Sequence, residues 1–421
     1  MTVTMAFLKN PSELALLLRR WFSDLDRRLL LLIMFPISLL LIVSMSSSSS
    51  AVVGHVLSIL GGFESAPPRN APANLDGARI AVCLVGGARR FELTGPSILQ
   101  RILKVYPNSD LFLHSPLDSN AYKLSLLRAA PRIAAVKIFK PAPINATESQ
   151  IRVLTAANSP NAIQGLLQYF NLVEGCLDMI QSYQLKNNFT YDWIIRTRVD
   201  GYWSARLSPD HFIHGEYVVP SGSSYHGLND RFGVGDFNTS VVALSRLSSI
   251  PQLAAAGYER LNSESAFKAQ LTTRGVRYST RRVPFCVVTD REYDFPPGRF
   301  DVPVAAISSR GPLSGAKCRP CTAACTGQCV AQVMTRLNEG WSWTDWANGS
   351  LQLCDAHAEW EDGWEKIFDR AAGKKLASAR KRTKGLGFGR CVNDFEVMKQ
   401  KTASWLAPSG VDICRLGLRP V

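Results

Sequence analysis

Four short segments carry residue types suited to gripping an anion or moving a proton. The first is GGARRF, residues 86–91. Gly86 and Gly87 follow an apolar run and leave the backbone open to close approach. Arg89, with Arg90 beside it, offers planar forks that match phosphate oxygens. The plainer alternative is a tight turn with two solvated arginines. The second segment is RTRVDGYW, residues 196–203, where Asp200 follows another apolar run with Arg196 and Arg198 at alternate positions. Two readings stand. The carboxylate holds a divalent cation that grips phosphate, since Mg²⁺-type ions commonly use only one or two protein carboxylates. Otherwise Asp200 pairs with Arg196 or Arg198, or caps a turn at Gly201. The third segment is HGLNDRFGVGD, residues 226–236. Asn229 and Asp230 there reach hydroxyls or a metal, or else bond their own loop. The fourth is LNSESAFKAQL, residues 261–271, a helix start capped by Asn262 or Ser263 with Glu264 in its first turn. The helix dipole favours an acid there without any chemistry; equally, Glu264 is placed to act as a general base or to bind a hydroxyl.

The cysteines form a different kind of signal. CRPCTAACTGQC sets Cys318, Cys321, Cys325 and Cys329 at C-x2-C-x3-C-x3-C. A zinc ribbon needs a longer middle spacer, so disulfides are expected, with three pairings open. Cys354, Cys391 and Cys414 are further disulfide candidates. Cys83, inside an apolar run, is expected to be a buried free thiol. Six of the nine tryptophans fall between Trp341 and Trp405. Those of WSWTDW (341–346) suit stacking on sugar rings, whereas Trp360 and Trp364 read as a packing stripe. KKLASARKRTK (374–384) reads as a solvated helix end, or else as a contact for an acidic lipid, polymer or partner. No HExxH, GxSxG or Walker pattern occurs, so protease, serine-hydrolase and P-loop chemistries have no motif support.

The elements that must hold these segments alternate. IAVCLV (80–85), DLFLH (110–114), AAVKIF (134–139) and DWIIRTR (192–198) read as strands, the first buried on both faces. Residues 98–103 and 161–184 carry apolar groups at helical spacing between them. Alternation of this kind predicts an α/β fold with a mostly parallel sheet flanked by helices. Ligands of such sheets sit beyond the carboxyl ends of strands, which is where the first two segments fall.

Residues 29–63 contain no Asp, Glu, Lys or Arg, and LLLLIMFPISLLLIVSM (29–45) is long enough to begin a membrane span. Arg19, Arg20, Arg27 and Arg28 precede it, which places the N-terminus in the cytosol and the body in the lumen. The expected layout is a cytosolic tail (1–28), a signal anchor (29–49), a stem (50–78), a lumenal domain (79–310) and a Cys/Trp-rich extension (311–421). Sequons at Asn145, Asn188, Asn238 and Asn348 agree with that compartment. The formal net charge of +14 suggests an anionic partner. A lumenal body makes nucleic acid an improbable one. Eleven basic and three acidic residues lie in 373–421, so much of the excess is outside the α/β domain.

Taken in order, IAVCLVGGARRF, DLFLHS, DWIIRTRVDGYW, GLNDRFGVG and LNSESAFKAQL resemble nucleotide-sugar glycosyltransferases of the GT-A type over roughly 79–310. The nearest likeness is to plant type II membrane proteins that carry a domain of unknown function; SSRGPLSGAKCRPC and WSWTDW resemble that family alone. The resemblance implies a GT-A-like, Rossmann-like fold and transfer of sugar from a nucleotide-diphosphate donor to a glycan or glycoprotein, in the Golgi or else the endoplasmic reticulum. It implies donor contacts at Gly86, Gly87, Arg89, Arg198, Asp200 and Asn229, and catalysis by Glu264 or Asp230. Asp200 matches the last aspartate of the DxD motif, but Arg198 stands where the first would be, which leaves Mn²⁺ or Mg²⁺ at Asp200 in doubt. That departure also supports the alternative of a non-catalytic, membrane-anchored binding or scaffold protein.

Overall fold

The run IAVCLV has no polar position to turn toward water, and it becomes the central strand of a sheet. The computed structural model describes residues 75–157, 161–293, 303–337 and 350–419. The expected anchor with its flanks, WSWTDW and Asn348 lie outside the described residues. Among the described residues no helix is long and apolar enough to cross a membrane.

In chain order the strands are β1 (Ile80–Val85), β2 (Ser109–Pro116), β3 (Ile133–Phe139), β4 (Trp193–Arg198), β5 (Gly201–Trp203), β6 (Glu216–Pro220), β7 (Phe232–Asp236), β8 (Arg277–Arg281), β9 (Phe285–Val288), β10 (Val304–Ala306), β11 (Lys317–Arg319), β12 (Leu353–Cys354) and β13 (Thr402–Leu406). The helices are α1 (Phe91–Ile98), α2 (Glu148–Val153), α3 (Ala162–Asn187), α4 (Phe237–Leu244), α5 (Ile250–Ala255), α6 (Ser263–Thr273), α7 (Gln328–Met334), α8 (Trp364–Ala372), α9 (Lys374–Lys384), α10 (Phe388–Gln400) and α11 (Gly410–Gly417).

The fold is mixed α/β with two sheets. The larger runs β13-β3-β2-β1-β4-β7-β6-β8. Its first five strands are parallel, β7 is antiparallel to both neighbours, and β6 and β8 are parallel. The smaller sheet runs β12-β10-β11-β9-β5. Helices cover both faces of the large sheet. On one, α1 and α10 pack over Val82, Leu84 and Leu113. On the other, α3 and α6 pack over Ala81, Cys83 and Phe112.

The apolar stripe of α3 buries Leu167, Phe170, Val173, Leu177 and Ile180. Each such side chain contributes roughly 1.5–3 kcal/mol when fully buried. The helix ends at Asn188, whose φ of +52° is the left-handed stop that asparagine tolerates.

All ten cysteines are paired. Cys83 is not the free thiol expected. It bonds Cys176, which sits on the buried stripe of α3, so the link needs tertiary packing across 93 residues. Of the clustered cysteines only Cys325 and Cys329 pair together. Cys318 joins Cys286, and Cys321 joins Cys354. Cys391 and Cys414 join each other, tying α10 to α11. Residues after 311 are built into both sheets: β11 and β12 complete the small one and β13 edges the large one.

Candidate functional site

Because β7 is antiparallel to both β4 and β6, these two strands point the same way and end on the same edge. Their carboxyl ends, the loop 221–231 and the first turn of α6 enclose a cleft of about 900 Å³. Its walls bring Arg198, Arg231, Arg291 and Lys317 around Glu264, with Asp230 and Tyr169 behind.

Glu264 is set by its helix start. Asn262 caps α6, its Oδ1 accepting from Ser265 N at 2.8 Å. The loop 221–231 presses on this turn: Leu228 N donates to Glu264 O at 3.1 Å. Only glycine fits at 227, because a Cβ there would overlap the Glu264 and Ser265 backbone. Ser223, Tyr225 and His226 in the same loop hold φ of +50°, +41° and +69°. Such conformations cost on the order of 1–3 kcal/mol each and persist only where surroundings impose them. One such restraint is Asn262 Nδ2, which donates to Tyr225 O at 3.0 Å. Burial, then the nearby Asp230 charge, raises the Glu264 carboxyl to about 7, against the pull of Arg231. A carboxyl there shifts between acid and base near neutrality.

Asp230 is a different carboxylate. It is buried, and burial alone would raise its pKa. Arg246 and Arg196, with a hydrogen bond from Ser263, more than offset this and hold it below the usual carboxylate range. Arg246 lies 3.7 Å from its Oδ2, wedged between the rings of Phe170 and Phe267 at 4.5 and 4.6 Å. Arg196 donates to Asp230 O and to the Tyr169 hydroxyl, and that hydroxyl donates to Asp230 O at 2.8 Å. Asp230 is thereby a neutralised anchor for the floor of the cleft and a poor base.

The cations are crowded. Arg231 is fixed by Ser223 Oγ at 2.6 Å and Gly315 O at 2.7 Å. Lys317 Nζ stands 4.4 Å from the Tyr293 ring centroid. Burial, then the charges of Arg231 and Arg291, lowers its ammonium to about 7. A lysine held half-neutral by burial and by neighbouring arginines gains its proton back when an anion arrives.

At Asp200 the donor set does not fit a divalent ion. Arg198 Nε and Nη2 take its two oxygens at 2.8 and 2.7 Å. Among the described residues no three His, Cys, Asp or Glu side chains converge as metal ligands.

The other residues singled out by sequence sit elsewhere. Gly86, with φ +123°, turns the chain after β1 beside Val199. Gly87 packs near Asp118, where a Cβ would come within 3.2 Å of the carboxylate. The Arg89 side chain is exposed, and its carbonyl accepts from Lys123 Nζ at 2.6 Å. Arg90 is a clamp, 2.7 Å from Asp290 and 4.0 Å from the Trp360 ring centroid. Asn229 is buried, donating to Ser314 O at 3.0 Å and accepting from Arg231 N at 3.2 Å. None of Gly86, Gly87, Arg89 and Asn229 lines the cleft. Lys317, Arg231 and Tyr169 do line it; the first two lie within SSRGPLSGAKCRPC and HGLNDRFGVGD without being singled out there, and Tyr169 lies on the apolar helix α3.

These features define a disulfide-bonded mixed α/β protein with a cationic cleft at its strand ends. The family described as a domain of unknown function, DUF7796, matches residues 75–420, and the chain belongs to it. A comparison with curated proteins finds no match.

Proposed function

We propose that this cleft binds a nucleotide-diphosphate sugar and transfers the sugar to a hydroxyl of a glycan or glycoprotein. The observation that carries the reading is the placement of Glu264, with its carboxyl raised to about 7, among Arg198, Arg231 and Lys317. A base beside a cluster of cations is what such a transfer requires. The acceptor O–H proton goes to the Glu264 carboxylate as the new C–O bond forms at the anomeric carbon. The sugar–phosphate bond breaks, and its electron pair leaves with the nucleoside diphosphate, whose charge the cations stabilise. Since Asp200 is engaged by Arg198, no step is assigned to Mn²⁺ or Mg²⁺.

The GT-A kinship belongs to the same proposal. It is supported by the β3-β2-β1-β4 parallel order and by the position of Asp200 just past β4. Placement in the Golgi lumen of a plant cell, on a single-pass type II anchor at 29–49, is proposed with it. The apolar run, the sequons and the five disulfides, which suit an oxidising compartment, support that placement. The internal Arg198–Asp200 pair favours one second reading, a non-catalytic lumenal binding protein.

A panel of nucleotide sugars, assayed on the full chain in detergent beside Glu264→Gln, tests this. Turnover that Glu264→Gln loses is expected. Tight diphosphate binding without turnover selects the second reading, and absence of binding ends both.

A further inference from the structure

The segment KKLASARKRTK forms α9. Between α9, α10, the turn after α1 and the short helix Ala121–Ala129 runs a groove of about 220 Å³. Leu99, Leu376 and Leu386 contribute to its lining and are themselves buried. Lys104 and Arg128 stand on one wall; Lys375, Arg382 and Arg390 stand on the other. Its one acid, Asp394, is neutralised by Arg128 at 2.7 Å. Lys104, Lys375, Arg382 and Arg390 are exposed and, among the described residues, lie within ion-pair reach of no carboxylate. Two adjoining hollows extend the basic lining through Arg101 and Lys374; in the second, Lys381 is paired with Asp369 at 3.1 Å. No residue is shared with the cleft around Glu264, and α10 and the short helix Ala121–Ala129 pack on the opposite face of the large sheet from α3 and α6.

We infer that this groove is a second binding site, for an acidic polysaccharide bearing carboxylate or sulfate groups. An apolar floor rimmed by Lys104, Lys375, Arg382 and Arg390 takes the C–H faces of sugar rings while their charged edges reach the rim. Both walls are helical, with backbone groups bonded internally, so an extended acidic peptide finds no strand edge to pair with. A flat anionic leaflet meets the rims and leaves the floor uncovered. The inference stands apart from the proposed transfer reaction, since it uses none of the cleft residues.

The test is binding of polygalacturonate and of heparin to the full chain in detergent, at about 0.15 M salt, where surface charges beyond about 8 Å are largely screened. The variant Lys375→Glu/Arg382→Glu/Arg390→Glu is compared with Lys186→Glu/Lys268→Glu/Arg274→Glu. The second set carries the same change of charge on exposed residues of the opposite face and its helix ends. The groove variant is expected to weaken binding of at least one polysaccharide about tenfold or more, with little effect from the control. Equal weakening by the two variants overturns the inference, as does wild-type protein that binds neither polysaccharide. Binding to phosphatidylserine vesicles that polysaccharide does not compete away, or competition by polyglutamate as effective as by polysaccharide, also overturns it.

Discussion

Arg198 closes a fork on Asp200, with Nε and Nη2 at 2.8 and 2.7 Å from the two carboxylate oxygens. The fork joins residues i and i+2 at the end of a strand and fixes a guanidinium on the rim of the cleft. In the proposed transfer Asp200 is therefore a positioning residue that acts through Arg198. The Asp200→Ala variant is expected to weaken nucleoside-diphosphate binding about tenfold. Its melting point should barely move, because partly exposed pairs contribute only about 0–1 kcal/mol. Turnover should be the same in chelator as in added Mn²⁺. Loss of all activity in chelator would return Asp200 to the role of a metal ligand.

Glu264 couples activity to stability with opposite signs. Its folded value of about 7 lies above the ordinary 4.5. The unfolded chain therefore releases this proton first as pH rises. The associated cost is absent below 4.5, grows between 4.5 and 7, and is complete above 7. Replacing Glu264 by Gln should raise stability at pH 8 by on the order of 1–2 kcal/mol, allowing for partial exposure, and leave it unchanged at pH 4. The same variant should lose roughly 10²–10⁴ in turnover, the range for removal of a general base. Wild-type turnover should climb through pH 7. Thermal unfolding at the two pH values, with a pH–rate profile, checks both halves.

Lys317 behaves in the reverse sense. Its ammonium is lowered from 10.5 to about 7, so stability rises with pH between 7 and 10.5, the window in which the unfolded chain holds the extra proton. A bound diphosphate would offset the repulsion from Arg231 and Arg291. At pH 8, binding is expected to take up about one proton per site more in wild type than in Lys317→Met. Calorimetry in buffers of different ionisation enthalpy reads this directly. Equal uptake in the two proteins would remove Lys317 from the anion site.

How much of this is legible in the sequence depends on the range of each interaction. Strand β1 shows as an unbroken apolar run because helices bury both faces of the sheet, and β4 shows by its opening Trp193, Ile194 and Ile195. The start of α6 shows because Asn262 and Ser265 are three residues apart and cap locally. The pairing of Arg198 with Asp200 stands among the alternatives, since the two are only two residues apart in the chain. Lys317 cannot be found this way. It reaches the cleft through the pairing of β11 with β9, Lys317 opposite Val287, in a small sheet whose short strands, three residues in β11, carry no periodic pattern. Cys83 misleads for a similar reason: its partner lies 93 residues on, and only the docking of α3 brings it near. Asn229 looks like a ligand residue because its neighbours are polar, yet its amide is consumed by Ser314 and Arg231.

The Asp230–Arg246 pair should prove structural. Removing one partner of a buried pair leaves the other charge uncompensated, at about 3–5 kcal/mol. Asp230→Asn alone leaves both Arg246 and Arg196 facing a neutral amide. It is expected to be strongly destabilising, and Asp230→Asn/Arg246→Met to lose less than the sum of the single changes. Urea midpoints of the four proteins in the cycle decide it. A mild Asp230→Asn that unfolds like wild type but has no turnover would instead place Asp230 in the chemistry.

Gly227 offers the sharpest separation of site from fold. Its φ is not in the left-handed region, so an alanine there meets no backbone strain of its own. The obstacle is the Glu264 carbonyl and the Ser265 amide, which occupy the space of a Cβ. Both are backbone groups in the capped first turn of α6 and cannot rotate away as a flexible side chain could. Gly227→Ala must therefore push the loop 221–231 off the helix, breaking the Leu228 N to Glu264 O bond and carrying Tyr225 and Arg231 with it. The parallel strands and the Cys83–Cys176 link lie away from this contact. The expected result is a folded protein, slightly less stable, with diphosphate binding and turnover both reduced by tenfold or more (about 1.4 kcal/mol per tenfold step). Circular dichroism and binding measured on the same preparation check it, and wild-type affinity in the Gly227→Ala variant would show that the loop–helix contact does not shape the cleft.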